Sequence, residues 1–146
     1  MKILGLSHLE PFIWHSHDSS AAMLEDGDIK AAVAEERFNR VKHYAGYPAC
    51  TLDYFSKTFD SELKDFDFVA IPWPEQQGVP AKLTNNENPP TSLEVLQKRG
   101  KLPPKTKIVQ IDHQTAHAAT AFRTSGWKDA LVLCLDGGGL DSGVPS

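Results

Sequence analysis

The sequence predicts an α/β fold, with a mixed sheet and the element order β-β-β-α-β-α-β. Three observations predict it. Lys2 to Ser7 is a short, nearly continuous apolar run, the pattern of a strand buried on both faces. Glu25-Asp26-Gly27-Asp28 then joins two further strand-like runs, because Asp-Gly supplies the positive φ angles that a tight hairpin turn requires. Beyond the hairpin, stretches with helical spacing alternate with short apolar runs, the pattern of helices laid on a sheet.

Taken in order, Lys2 to Ser7 is the first strand, and a polar, His-rich loop runs from His8 to Asp18. Ser20 to Glu25 and Asp28 to Glu35 form the antiparallel hairpin. Glu35 to Arg40 is a charged stretch that runs into a loop through Lys42 and Tyr47. Pro48 suits a first helical turn, and Leu52, Phe55 and Phe59 recur at helical spacing, so Pro48 to Phe59 is expected to be a helix. Phe66 to Ile71 is a short strand that Pro72-Trp73-Pro74 ends. Gly78 to Pro104 carries Pro80, Pro89, Pro90, Pro103 and Pro104 and is expected to be an insertion loop, with a brief helix from Ser92 to Arg99. Lys107 to Ile111 is a strand. Asp112 to Thr124 is an Ala-rich helix ending near Gly126. Ala130 to Leu135 is expected to be the final strand, and Leu140 to Ser146 a loose end.

The 146 residues suit a single domain, 1–146. Acids exceed bases, and the net charge of −4 argues against a protein that works by coating nucleic acid or an anionic membrane. No apolar run approaches the roughly 20 residues of a membrane helix, and the N-terminus is too polar for a signal peptide. With Cys50 and Cys134 as the sole cysteines, a disulfide framework is excluded and a cytoplasmic protein is expected.

Four constellations can carry chemistry. His113 and His117 are four apart on a helix, so their imidazoles share one face and can reach one ion; the same pair also suits a polar helix start, with His113 as a cap. Asp136 stands at the end of an apolar run, followed by Gly137-Gly138-Gly139, where α/β proteins place ligands. The glycines let backbone N–H groups approach a phosphate, and the carboxylate can hold a cation. Joined with the two histidines, Asp136 makes a two-His, one-carboxylate set that suits Fe²⁺, with Zn²⁺ and Mn²⁺ as alternatives. In the loop His15-Ser16-His17-Asp18-Ser19-Ser20, His17 has the chemistry of a general base, Asp18 can orient it or cap a turn, and Ser19 and Ser20 offer donors to an oxyanion; a polar turn that satisfies its own backbone is the plainer reading. In Glu35 to His43, Arg40 and Lys42 can grip a phosphate, although mixed charge of this kind is more often a solvated face. Asp18, Ser19, Ser20, Arg40, Gly137 and Gly138 thus make up the expected cofactor-binding set. There is no P-loop and no GxGxxG dinucleotide fingerprint.

The element order is similar to that of the ribonuclease-H-like half of the actin, sugar kinase and Hsp70 superfamily. Four motifs, in order, point further: Met1 to Ser7; His17-Asp18-Ser19-Ser20-Ala21-Ala22 with Asp26-Gly27; Ala34-Glu35-Glu36-Arg37-Phe38-Asn39-Arg40-Val41-Lys42-His43; and His113-Gln114-Thr115-Ala116-His117-Ala118-Ala119 followed by Leu135-Asp136-Gly137. Together they resemble the O-carbamoyltransferases of nodulation-factor and antibiotic tailoring, whose first domain is similar to the tRNA-threonylcarbamoylation ATPases. The resemblance implies that carbamoyl phosphate and ATP, with Mg²⁺, give a carbamoyl-adenylate, and that the carbamoyl group passes to a hydroxyl of a sugar or antibiotic. It implies His17 as base on that hydroxyl and Lys42 near the carbamoyl and phosphate groups. It implies His113, His117 and Asp136 as ligands of an iron-type metal facing the nucleotide phosphates. Members of the family are several times longer, so this chain is expected to be the N-terminal half of the catalytic domain, as a fragment, a split-gene product whose C-terminal partner chain completes the site, or a decayed copy, with a homodimer as the other expected assembly. Gly138-Gly139-Leu140-Asp141 departs from the Gly-Glu pair usual there. The alternative is a non-catalytic module of the same fold that binds nucleotide or a partner.

Overall fold

The computed structural model describes residues 1–7, 17–72, 106–136, 140–141 and 144–145. Strands β1 (Lys2–Ser7), β2 (Ser20–Glu25), β3 (Asp28–Ala34), β4 (Phe68–Ile71) and β5 (Lys107–Gln110) form a five-stranded mixed sheet in the order β3-β2-β1-β4-β5. β1 and β2 are antiparallel, with Leu4 opposite Met23 and Leu6 opposite Ala21. β2 and β3 are antiparallel with a bulge at Met23/Leu24. β4 runs parallel to β1, and β5 parallel to β4. The β2–β3 turn is the expected one: Asp26 has φ 52° and Gly27 φ 94°, the left-handed pair that matches hairpin twist.

Strand alternation sends Leu4 and Leu6, with Ala21, Met23, Val69 and Ile71, into one core. Helix α2 (Ala49–Phe59) covers it with Phe55, which is fully buried. Truncating so enclosed a ring costs about 3–5 kcal/mol. β1 is buried less completely than expected. Leu4 and Leu6 are sealed, while Ile3, Gly5 and Ser7 on the other side are half-buried. Its apolar run therefore marks one sealed face and one partly covered face.

Between β3 and α2 lies a one-turn helix, α1 (Glu36–Asn39), closed by Arg40 in the left-handed region, within the stretch that the sequence marks only as charged. The N-terminus of α2 is capped from a distance. Pro48 at the N-cap offers no side-chain acceptor. Instead the buried Glu35 carboxylate accepts the Cys50 N–H (2.9 Å), the Thr51 N–H (2.8 Å) and the Thr51 hydroxyl (2.8 Å). A carboxylate there satisfies orphan donors and complements the helix dipole. Glu35 thus belongs to the interior and not to the solvated face its neighbours suggest. After α2, a 3₁₀ turn at Leu63–Asp65, held by a capping box between Glu62 and Asp65, leads into β4.

Helix α3 (His113–Ser125) follows β5 and ends at Gly126, φ 74°. The segment 130–136 is not a strand, contrary to the expectation for Ala130 to Leu135. Its alternation is real: Val132 and Cys134 are half-buried, and Leu131, Leu133 and Leu135 are 98%, 77% and 86% exposed. What it lacks among the described residues is a ladder partner, and a period-2 pattern alone makes no hydrogen bonds. Leu140–Asp141 (β6) and Val144–Pro145 (β7) pair as a small antiparallel ribbon where a loose end is expected. Among the described residues no helix is long and apolar enough to cross a membrane. The insertion expected over Gly78 to Pro104, with its brief helix, lies outside the described residues.

Candidate functional site

Topology places the candidate residues at one edge of the sheet. Ser7 ends β1, pairs with Ser20 at the start of β2, and Ser20 pairs with Ala34 at the end of β3. β4 and β5 run parallel to β1, so Ile71 and Gln110 end at the same edge. Residues 17–20, 35–43 and 111–117 therefore all emerge at the carboxyl ends of the parallel strands, the ligand side of open α/β sheets.

The first cluster is built on α3. His113 and His117 stand one turn apart, and 130–136 runs back along the helix with Cys134 Sγ 3.7 Å from the Gln114 carbonyl, which carries Asp136 over the helix start. Asp136 Oδ2 lies 2.5 Å from His113 Nε2 and 3.1 Å from His117 Nε2, and the two Nε2 atoms are 3.1 Å apart. The rings meet edge to face at 4.6 Å. The His113 side chain is 15% exposed, against 55% for His117 and 32% for Asp136. Two N–H groups can both donate to Oδ2, but that sets them against each other across 3.1 Å, whereas one cation bound by the three lone pairs makes all three close approaches favourable. The donor set therefore fits a divalent transition metal. Beside it, a cleft of about 270 Å³ is lined by Gln114, His117, Ala121, Val132 and Asp136.

The second cluster joins the two loops at the sheet edge. Asp18 Oδ2 is 2.6 Å from His17 Nδ1, and Asp18 Oδ1 is 2.9 Å from His43 Nδ1. The hydrogen bond from His43, then that from His17, holds the Asp18 carboxyl below its ordinary value. Asp18 and His43 both occupy the left-handed region, φ 60° and 54°. Such backbone costs on the order of 1 kcal/mol at each non-glycine residue and persists only where its surroundings over-determine it. Here they do. Ser19, buried, donates its N–H to the Tyr44 carbonyl (2.8 Å) and its hydroxyl to the Gly46 carbonyl (2.5 Å), while the His43 N–H donates to Glu36 Oε2 (3.0 Å).

Ser19 thus spends both donors holding the loop that carries His43. Ser20 shares a 2.7 Å hydrogen bond with Ser7. Arg40 and Lys42 are exposed, in a loop whose Val41 N–H is held by Asn39 Oδ1 at 2.8 Å. No ion pair engages either cation among the described residues. Gly137 and Gly138 lie outside the described residues. His43 and Glu35 are the residues that spacing misses. His43 sits 25 positions from Asp18, and the only sign of it is its place in the motif that ends at His43.

An α/β domain with two His/Asp clusters at the ligand edge of its sheet is the class of protein these observations define. Residues 2–79 match the family model described as carbamoyltransferase N-terminus, and the chain belongs to that family. It is similar to the nodulation protein NolNO of Sinorhizobium fredii, 31% identical over 134 residues, covering 84% of this chain and 20% of NolNO. It is also similar to an uncharacterized protein of Synechocystis, 29% identical over 92% of this chain and 26% of the relative. An uncharacterized protein of Methanocaldococcus jannaschii is 27% identical over 87% of this chain and 22% of its own length. The chain therefore spans about a fifth to a quarter of these relatives.

Proposed function

We propose that this chain is the N-terminal part of an ATP-dependent O-carbamoyltransferase. The convergence of His113, His117 and Asp136 on one point carries the reading, and membership of the carbamoyltransferase N-terminus family supports it. The sheet order, with a meander of three strands followed by two parallel ones, supports a ribonuclease-H-like half of the actin superfamily as its fold.

In this reading carbamoyl phosphate, ATP and one water, with Mg²⁺, give a carbamoyl-adenylate, inorganic phosphate and pyrophosphate. The acceptor is a hydroxyl-bearing small molecule, a sugar or an antibiotic. His113, His117 and Asp136 hold a metal, Fe²⁺ or else Zn²⁺ or Mn²⁺. Such a cation, when bound, offsets negative charge that develops on nucleotide phosphates. His17 takes the proton of the attacking hydroxyl as that oxygen bonds to the carbamoyl carbon and AMP departs. Arg40 and Lys42 offer exposed positive charge to phosphate oxygens from the same sheet edge. Gly137 and Gly138 supply backbone N–H groups to them, and Asp18, Ser19 and Ser20 frame the loop from which His17 acts.

The exposed Leu131, Leu133 and Leu135 favour a further polypeptide on this face, either a C-terminal partner chain or a second copy. In that arrangement the isolated chain binds metal but transfers carbamoyl groups poorly or not at all. The test is elemental analysis of the 146-residue chain purified without chelator. About one transition-metal ion per chain is expected, and it should be lost in His113→Ala. Unchanged metal content in that variant removes the ligand assignment, and robust carbamoyl transfer by the isolated chain removes the need for a partner.

A further inference from the structure

We infer that His43 is a positioning residue for His17, acting through the Asp18 carboxylate, which holds one imidazole on each of its two oxygens. The inference rests on the reading of His17 as a base. The two His/Asp clusters differ in a way that assigns them different work. At His113, His117 and Asp136, both imidazoles reach the same oxygen and each other, as ligands of one ion do. At Asp18 the imidazoles take separate oxygens, and their ring centres stand 6.1 Å apart at 79°. That is a hydrogen-bonded chain, His43–Asp18–His17.

An ionised carboxylate only accepts, so both Nδ1 atoms carry the proton. The atom of His17 that can receive a proton is then Nε2, and the partner on Nδ1 is what sets that tautomer. A carboxylate with one oxygen unengaged can rotate about its terminal torsion. His43 on Oδ1 resists that rotation and keeps Oδ2 on His17. The backbone supports the same assignment. The residues that meet at this bond, Asp18 and His43, are both in the left-handed region, and the Ser19 bonds to Tyr44 and Gly46 clamp their loops together.

The experiment is long-range ¹H–¹⁵N correlation of the imidazoles in the 146-residue chain at pH 8, with far-UV circular dichroism confirming the fold of each variant. His17 and His43 should both show the Nδ1–H tautomer. In His43→Ala, His17 should shift toward a mixture with the Nε2–H form. His43→Asn, whose amide can donate to Oδ1, should restore it. Asp18→Asn offers one acceptor and one donor, so at most one imidazole should keep Nδ1–H. An unchanged His17 tautomer in His43→Ala overturns the inference. So does perturbation of the His17 and His43 nitrogens by one equivalent of Zn²⁺ in a His113→Ala background, which would make this cluster a ligand set. No substrate enters the measurement. A chain with the expected tautomers that, with the partner polypeptide of the proposed function supplied, carbamoylates no hydroxyl would defeat the reading of His17 as a base and leave the positioning chain standing.

Discussion

Replacing Glu35 should loosen the sheet edge that carries both His43 and Lys42. The carboxylate is 2% exposed and accepts three hydrogen bonds from the first turn of α2. Thr51 is fully buried, so in Glu35→Ala its N–H and hydroxyl lose their acceptor with no water to replace it; Cys50 is exposed, and its N–H can be hydrated. Counting about 1–1.5 kcal/mol for each Thr51 bond and less for that of Cys50, Glu35→Ala should destabilise the chain by about 3 kcal/mol. Glu35→Gln keeps one acceptor oxygen but loses the charge and sets an N–H against a donor, so about 1–2 kcal/mol is expected. Urea unfolding followed by circular dichroism at 222 nm measures both, and the same slope in all three proteins shows that the midpoints report stability. A cost below about 1 kcal/mol for Glu35→Ala would mean that the α2 terminus is satisfied some other way, and the remote cap would not be what joins β3 to α2.

Three further outcomes follow from the same geometry. The Cys50 thiol is pushed up chiefly by its hydrogen bond to the Glu35 carboxylate and by that negative charge, so it should react with iodoacetamide at pH 8 more slowly than a free thiol; Glu35→Gln should speed it, and an unchanged rate refutes that coupling. Asp18 titrates below its ordinary 3.8, so its contribution to stability is present above that value and is lost as pH falls through the lower, folded-state value; Asp18→Asn should flatten the acid limb of stability against pH below about 4, and an identical limb counts against the imidazole–carboxylate chain. Changing the exposed Leu131, Leu133 and Leu135 to Ser should reduce hydrophobic-dye binding and light scattering while moving stability by no more than about 0.5 kcal/mol; a larger loss would place those side chains in the core.

Local rules account for much of this molecule. Asp26-Gly27 marks a hairpin because only a few residues tolerate its φ angles, and Leu52, Phe55 and Phe59 mark α2 because a helix brings those positions to one side. His113 and His117 were bound to share a face once α3 formed, since four residues make about one turn. Periodicity misjudged 130–136, where an alternating apolar pattern has no neighbouring strand to bond among the described residues. It was silent on Glu35, whose charge reads as solvated until folding sets a helix terminus against it. Whether Asp136 would meet the two histidines, and whether Asp18 would bridge His17 and His43, lay beyond any spacing rule. Apart from the adjacent His17 and Asp18, those meetings join residues 19 to 25 positions apart, and their distances depend on which strand ends share an edge and how two loops are tied there. Bonds between near neighbours are governed by backbone geometry, which composition and spacing encode directly. Contacts across the chain are governed by sheet order and buried hydrogen bonds, which exist only once the core has closed.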